Sequence, residues 1–304
     1  ISIKDWTFKV IAPSASLSKW ETRRGTATAG IRSTGNIVTL YDACGNRISF
    51  GGHKDRFAVS LVGADSTIAE VEVNDYENGK YGFEFSVSKA QMYTMTIRFD
   101  GLGIDSGSNT QTITVSESSP SPINSIIDDM VDSAEVNENI IVGFRLYDIY
   151  QNLIRTDVLD DISVTVTPDP RTVGGALTTE WNSTSQNYSV TFSTPITSLS
   201  GYVLRVLVSN GDATNDITGG GGSPQTVIIQ AGEISVSKCT RDVGNPTSLV
   251  ARTTGSFYIT AADSGGNQIL ANPLPYTVGY NVTMTSGDPN VGEIGCLVDC
   301  ANFC

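Results

Sequence analysis

A seven-residue pattern, Asp-x-x-x-Asn-x-Ile, occurs three times in this chain and limits what the chain can fold into. Each copy comes just after a run of residues typical of a β-strand. Successive copies lie 106 and 115 residues apart, about the length of one small sandwich domain. The sequence therefore predicts a tandem array of similar units. The three copies are Asp42/Asn46/Ile48, Asp148/Asn152/Ile154 and Asp263/Asn267/Ile269.

The chemistry of the pattern points to a structural turn. A carboxylate that follows an apolar strand can accept main-chain N–H groups in the turn, and an asparagine can adopt the left-handed conformation that reverses the chain. Asp42, Asp148 and Asp263 are therefore predicted to hold their turns, with Asn46, Asn152 and Asn267 in the left-handed region. Calcium is a weaker interpretation, because each turn offers a single acid rather than several.

Alternation of apolar and polar residues dominates the chain, and helical periodicity is absent over any useful length. About seven short strands per hundred residues fit a sandwich of two sheets. The predicted fold class is all-β. The strand candidates are 36–41, 56–62, 69–73, 81–87, 93–99 and 110–115 in the first unit, and 140–147, 162–166, 188–192, 202–208 and 226–229 in the second.

Two short junctions divide the chain. Residues 116–122 form a proline-bearing linker, and Ala231-Gly232 marks the second junction. The predicted domains are 1–12 as the last strand of a preceding repeat, 13–116 and 117–231 as complete repeats, 232–295 as a partial repeat, and 296–304 as the start of a cysteine-rich module or a cysteine staple.

Five cysteines are few for a scaffold held by disulfides, but three of them crowd into nine residues near the end of the sequence. Their C-x3-C-x3-C spacing differs from the paired C-x2-C of common zinc sites, so no metal is predicted. In an oxidising compartment the disulfide candidates are Cys239, Cys296, Cys300 and Cys304. Cys44 is predicted to be a buried thiol, with an intermolecular bridge as the alternative.

Three Asn-x-Ser/Thr sequons favour an extracellular or cell-surface location and N-linked glycans. Asn182 and Asn187 lie in a polar turn, and Asn281 alternates with apolar neighbours so that it points away from them. The cysteine cluster favours the same compartment. No run approaches the roughly 20 apolar residues that a membrane span requires, so no span is predicted in this segment.

Charge is unevenly distributed along the chain, whose net charge is −13. The second unit has four arginines, no lysine and fourteen carboxylates, which excludes nucleic acid as its partner. The first unit is nearly neutral and has ten basic residues. We therefore expect contacts between the first unit of one copy and the acidic second unit of another.

The residues that carry these patterns resemble the filamin-type immunoglobulin-like repeat over nearly the whole chain. The resemblance rests on Leu40-Tyr-Asp-Ala-Cys-Gly-Asn46, on Glu77-Asn-Gly-Lys-Tyr81 and on Gly222-Ser-Pro-Gln-Thr-Val227. It implies tandem immunoglobulin-like β-sandwiches. It also implies a strand-addition groove between the third and fourth strands, formed here by Phe57, Val59, Leu61, Val71 and Val73. Plain packing of these side chains in the core is the alternative.

The chain departs from the family pattern at several points. The first unit has Ser106-Gly-Ser-Asn where the family has Gly-Ser-Pro, and the second has a sequon in place of the Asn-Gly turn. Sequons and clustered cysteines are unexpected in a cytosolic actin crosslinker. Extracellular repeats of this type are similar to those of adhesion ectodomains, including gamete-surface proteins, and of flagellar hairs (mastigonemes), where cysteine-rich modules similar to epidermal growth factor follow.

Catalysis is not predicted. The chain has one histidine, no Gly-x-Ser-x-Gly elbow and no phosphate-binding loop. That residue, His53, lies beside Lys54, Asp55 and Arg56 and is expected to be exposed. The sequence therefore predicts a structural subunit of an extracellular filament without a cofactor, whose partners are copies of itself or a surface receptor. An adhesion ectodomain is the first alternative, and a cytosolic actin crosslinker is the second.

Overall fold

β-Strands joined by short turns make up the regular structure of this chain, together with five short 3-10 turns among the described residues. The computed structural model describes residues 12–209, 214–233, 235–241, 259–269, 281–286 and 294–299. Two compact units divide these residues. The first contains the residues up to Asn124 together with Leu146–Arg155, and the second contains Ser125–Arg145 and the residues from Thr156 onward. The predicted strand at residues 1–12 lies outside the described residues except for Ala12.

The first sandwich has two sheets facing each other. One has the strand order β1-β3-β7-β6, and the other has the order β2-β10-β8-β4-β5, with β9 paired to β8. All pairs are antiparallel except β2 with β10. The strands are β1 Pro13–Thr22, β2 Thr26–Thr28, β3 Ser33–Asp42, β4 Phe57–Gly63, β5 Ile68–Ala69, β6 Glu72–Asp75, β7 Lys80–Phe85, β8 Met92–Phe99, β9 Leu102–Gly103 and β10 Thr110–Ser116.

Alternate residues of these strands fill the space between the sheets. On β8 every second side chain is buried, from Tyr93 to Phe99, as the period of a strand requires. β7 of the opposite sheet contributes Tyr81 and Phe83, both fully buried. The ring of Phe57 lies 4.8 Å from that of Tyr81 and 4.9 Å from that of Phe99, so it joins the two sheets. This aromatic core fixes which face of each strand points inward.

The second sandwich has the same central strand order, with an additional edge strand, β19, and no counterpart of β5. One sheet runs β15-β16-β13-β11-β19 and the other runs β12-β20-β17-β14, with β18 paired to β17. Its strands are β11 Ile126–Asp129, β12 Ser133–Glu135, β13 Ile140–Arg145, β14 Ile162–Thr167, β15 Ala176–Asn182, β16 Asn187–Ser193, β17 Ser198–Ser209, β18 Thr214–Asp216, β19 Gly219–Gly220 and β20 Gln225–Gln230. The equivalence of β13-β16 with β3-β7, and of β20-β17-β14 with β10-β8-β4, shows that the two sandwiches share one topology.

Two short pairs of strands follow. Strands β21 Thr240–Arg241 and β22 Ile259–Thr260 pair with each other, as do β23 Asn281–Ser286 and β24 Ile294–Asp299. In the last pair Cys296 lies opposite Met284, so the predicted boundary at 296 falls inside a strand.

The predicted all-β class is confirmed, and the strand candidates of the first two units fall on observed strands with one exception. The candidate 69–73 spans the end of β5 and the start of β6, which belong to different sheets. Two long strands were not predicted. β1 was missed because its register against β3 shifts between Ser14 and Lys19 and again between Trp20 and Thr22, which breaks the alternation. β15 was missed because it is an edge strand whose side chains are all half-buried or exposed.

The expectation that His53 is exposed is wrong. Its ring is half-buried, 5.5 Å from the ring of Phe50 and 6.4 Å from that of Phe99. Burial, together with the nearby guanidinium of Arg56, lowers the pKa of His53. Charged neighbours in the sequence were a poor guide, because the ring of His53 packs against the rings of Phe50 and Phe99.

Gly79 should be intolerant of a side chain. Its φ is 77°, and a Cβ atom there would lie 1.9 Å from the main-chain oxygen of Ile48, which cannot move aside. We expect Gly79→Ala to lower the free energy of unfolding of the first sandwich by about 3 kcal/mol, from left-handed strain and overpacking together. This change can be measured by unfolding the full chain in urea while the NMR signals of β3 and β7 are monitored.

Gly52 provides the matched control. Its φ is 90°, but nothing lies within 4 Å of the position of its Cβ, so Gly52→Ala tests the strain alone. We expect a cost of about 1 kcal/mol. Equal effects of the two substitutions would contradict the proposed steric clash.

Candidate functional site

The main chain of the Asp-x-x-x-Asn pattern has the same hydrogen bonds in all three copies. The N–H of the aspartate donates to the carbonyl of the asparagine, at 2.9 Å for Asp42 and Asp148 and 3.0 Å for Asp263. The residue before each aspartate pairs with the residue after each asparagine, as in Tyr41 with Arg47. The N–H of the following isoleucine donates to the carbonyl of the residue two before the aspartate, at 2.9 Å in every copy. The pattern therefore encodes one tight loop, used three times.

The left-handed residue of each loop is not the asparagine, so that prediction is wrong. It is the residue just before it: Gly45 with φ 80°, Gln151 with φ 65° and Gly266 with φ 84°. The N–H of this residue donates to the aspartate carbonyl at 3.0 Å in each loop. The asparagine stays outside the left-handed region in all three loops.

The aspartate carboxylates are buried and are satisfied mainly by main-chain donors. Asp148 is fully buried. Its Oδ1 accepts from the N–H groups of Tyr150 at 2.8 Å and Asn152 at 2.9 Å. Its Oδ2 accepts from the N–H of Ser118 at 3.0 Å and from the side-chain amide of Asn152 at 2.8 Å. Four donors thus satisfy the buried carboxylate, and one of them comes from the linker.

Asp263 repeats this arrangement. Its Oδ1 accepts from the N–H groups of Gly265 and Asn267, both at 2.9 Å, and its Oδ2 accepts from Gly232 at 3.1 Å. Gly232 is the second predicted junction, as Ser118 lies in the first. Asp42 binds the N–H groups of Cys44 and Asn46, both at 2.8 Å. No sequence pattern indicated that the carboxylates of Asp148 and Asp263 bind the linkers.

The occupied carboxylates argue against a calcium role for the loops. A calcium ion needs six to eight oxygen ligands, and it would have to displace the N–H donors that already bind each aspartate. Among the residues that the structure describes, no group of three acidic, histidine or cysteine side chains is placed to hold a metal ion.

The asparagine amides reach beyond their own loops. The side-chain nitrogen of Asn152 donates to the carbonyl of Ser88 at 2.7 Å, and its side-chain oxygen accepts from the N–H of Ala90 at 2.9 Å. Residues 146–155 and residues 88–90 belong to the same compact unit. The sequence did not reveal Ser88 and Ala90 as partners, because the contact is to their main chain.

Asn267 makes the equivalent contacts in the second compact unit. Its nitrogen donates to the carbonyl of Pro195 at 2.8 Å, and its oxygen accepts from the N–H of Thr197 at 3.2 Å. Ser88 lies in the turn between β7 and β8, and Pro195 lies in the equivalent turn between β16 and β17. Asn46, by contrast, is exposed, and its amide binds Asp42 of its own loop at 3.0 Å.

The first sandwich also has an open edge, which we define by Phe57, Val59, Val71 and Val73. On one side β4 pairs with β8 along its whole length, but on the other it pairs with β5 only at Leu61 and Val62. β6 ends its own sheet. The four defining side chains are half-buried against the core, whereas Leu61 is fully buried. The structure thus places Leu61 in the core rather than at the edge.

Comparison with solved structures identifies the fold. The chain is similar to FdeC, an Escherichia coli adhesin, with 20% sequence identity over 92% of this chain and 82% of that chain, and a TM-score of 0.51. It is similar to invasin, a bacterial integrin-binding protein, with 12% identity over 91% of this chain and 63% of that one, and a TM-score of 0.50. The fold is a tandem immunoglobulin-like β-sandwich.

The other comparisons add little to this immunoglobulin-like assignment. The filamin domain of Lin-41 matches 34% of this chain and 95% of its own length, with 25% identity and a TM-score of 0.30. No protein-family model and no curated protein matches the sequence. Among the described residues, no helix is long and apolar enough to cross a membrane.

Two of the predicted glycan sites lie on one turn of the second immunoglobulin-like sandwich. Asn182 is exposed, and its side-chain oxygen accepts from the N–H groups of Thr184 at 2.9 Å and Ser185 at 3.1 Å. Asn187 is half-buried and pairs with Asn182 across β15 and β16. Asn281 begins β23, but its side chain lies outside the described part of the structure. Glycan attachment at these positions stays a prediction.

The cysteines differ in how far the structure describes them. Cys44 is exposed, so its predicted burial is wrong; the loop turns its side chain outward while its N–H binds Asp42. Cys239 is half-buried, and its thiol contacts the carbonyl of Ser235 at 3.4 Å. Cys296 is in β24 with no side chain described, and Cys300 and Cys304 lie outside the described residues.

Asp263 should titrate at lower pH in the folded chain than in the unfolded chain. Burial raises the pKa of Asp263, but hydrogen bonds from Asn267, Gly232 and Gly265 outweigh burial and lower it. The stabilisation by the carboxylate is thus complete above the unfolded value of about 3.9 and is lost as the pH falls through the folded pKa. The ¹³C shift of its carboxyl group, followed against pH, measures this midpoint.

The same titration in concentrated urea gives the unfolded reference. A folded midpoint at or above the urea value would contradict the proposed network. Asp263→Asn, which cannot ionise, should remove this part of the pH dependence of stability.

Proposed function

We propose that this chain is a non-catalytic, structural segment of an extracellular glycoprotein, built from tandem immunoglobulin-like repeats that assemble into a filament or surface appendage. The observation that carries this proposal is the recurrence of one loop, with one set of hydrogen bonds, in three successive repeats. Serial repetition of one sandwich builds an extended array rather than a single reaction centre. The proposed repeats are 13–116, 117–231 and 232–295, with a cysteine-rich segment from 296.

The buried acids support a non-catalytic role. Buried carboxylates in an enzyme are candidates for acid–base chemistry, because burial shifts their pKa values. Here the buried carboxylates of Asp148 and Asp263 accept hydrogen bonds from main-chain N–H groups inside tight loops. Their chemistry is that of holding a turn.

Charge supports association between copies. The second repeat has fourteen carboxylates and four arginines, whereas the first has ten basic residues. Opposite charge across a contact sets the register and speeds association. We propose that the first repeat of one copy binds the second repeat of another, and that glycans at Asn182, Asn187 and Asn281 cover part of the remaining surface.

Negative-stain imaging of the native material tests the filament proposal. We expect periodic fibres that dissociate as the salt concentration rises, because exposed charge pairs are screened over about 10 Å at 0.1 M salt. Glycopeptides from the same fibres should have glycans on Asn182 and Asn187. Assembly that does not respond to salt would contradict the charge-based register, and sequons without glycans would favour the cytosolic alternative.

Adhesion is the second candidate function, and the open edge of the first sandwich favours it. Part of β4 and the outer side of β6 have no strand partner among the described residues, so an extended segment of another protein can add there. Along this edge exposed Glu70 and Glu72 alternate with half-buried Val71 and Val73. An added strand should therefore alternate apolar side chains that face the core with basic ones that face solvent.

Peptides selected from a random library on the full chain test this second function. We expect alternating apolar and basic sequences whose affinity falls at least fivefold in Val59→Thr, which places a hydroxyl at the edge while keeping the side-chain volume. Ser60→Thr is the matched control, since Ser60 is the exposed neighbour on the same strand. Equal binding to both variants would place the peptide elsewhere, and imaging of separate molecules instead of fibres would make adhesion the primary function.

A further inference from the structure

The side-chain amides of Asn152 and Asn267 hold main chain that is distant in sequence. We propose that this amide clamp couples each repeat to the one before it in the chain. The clamp consists of the side-chain amide of the motif asparagine and two main-chain groups of a turn. These groups are a carbonyl and the N–H of the residue two positions later. This inference goes beyond the proposed function, because it holds whatever the assembled protein attaches to.

Two independent copies of the clamp use the same atoms. Asn152 donates to the carbonyl of Ser88 and accepts from the N–H of Ala90. Asn267 donates to the carbonyl of Pro195 and accepts from the N–H of Thr197. Each copy lies within one compact unit. The two turns are 107 residues apart, the spacing of the strands around them. Recurrence of the contact at this spacing marks it as a property of the repeat.

The chemistry explains why the motif uses asparagine. A side-chain amide has two N–H donors and a carbonyl acceptor, so it can bind a peptide chain much as a neighbouring strand does. One N–H of Asn152 binds Asp148 and the other binds Ser88, while its oxygen binds Ala90. Aspartate lacks the donors. Because only main-chain groups are recognised, the turn residues differ freely between repeats, as Ser-Lys-Ala and Pro-Ile-Thr do.

The clamp is joined to the linker through the aspartate. Asp148 accepts from the linker N–H of Ser118 and from the amide of Asn152 through the same oxygen. Linker, loop and turn therefore form one hydrogen-bond network, and Asp263 with Gly232 repeats it. Packing adds to the first network, since a Cβ atom at Gly30 would lie 2.0 Å from the hydroxyl of Tyr150. The ring of Tyr150 thus lies against a residue that has no side chain.

Asn46 provides an internal reference for the clamp. Its amide donates to Asp42 at 3.0 Å, as the amide of Asn152 does to Asp148, but it is exposed. Truncation of Asn46 therefore removes a hydrogen bond within its own loop and does not change the contacts between Asn152 and the turn at residues 88–90. Truncation of Asn152 removes both kinds of bond. The difference between the two variants isolates the clamp.

Amide hydrogen exchange, read by NMR on the full chain, tests the proposal at a single atom. The N–H of Ala90 is bound by Asn152, so Asn152→Ala should speed its exchange at least tenfold, while the core amides of β8 keep their rates. Asn46→Ala should leave Ala90 unchanged. An unchanged rate in Asn152→Ala, or equal changes in both variants, would overturn the proposal.

Two further measurements keep the test decisive. If Asn152→Ala exposes the core amides of β8 as well, Asn267→Ala tests the second clamp separately, with Thr197 as the reporter. An unchanged Thr197 rate in that variant then overturns the proposal. Chelation of divalent cations should leave the Ala90 rate unchanged, and faster exchange on chelation would assign the coupling to a metal ion instead.

Discussion

The burial of one carboxylate per repeat is the constraint on which the rest of this structure depends. An ionised carboxylate away from water is strongly unfavourable unless hydrogen bonds satisfy it. Asp148 is fully buried and receives four donors, three from the main chain and one from Asn152. To bring those donors together, the loop must close tightly and the linker must pass beside it. The charge thus determines the path of the chain at each junction.

Hydrogen bonding also distinguishes the structural parts of this protein from those available to partners. The buried carboxylates of Asp148 and Asp263 already accept main-chain N–H groups, so they offer little to a ligand. The open edge of the first sandwich has main-chain groups without strand partners among the described residues, beside half-buried Phe57 and Val59. In the proposed function, such an array meets other proteins through its edges, its charge and its glycans.

The sequence predicted an element correctly where the pattern of neighbouring residues determines the structure of that same segment. Alternation on β8 and β17 predicted both strands, because one face of each is buried and the other is not. It failed where burial depends on distant residues. The register shifts of β1 hid a ten-residue strand, the aromatic rings around His53 buried an imidazole between charged neighbours, and Cys44 points outward from a loop expected to cover it.

The sequence by itself determined that this chain is a series of similar all-β units, because the spacing of Asp42, Asp148 and Asp263 and the period of two are properties of the linear chain. Only the tertiary structure decided what the motif asparagine does. Its partners at Ser88 and Pro195 are main-chain atoms more than sixty residues away, and a carbonyl group has no signature in sequence. Folding alone brings such atoms within hydrogen-bond distance.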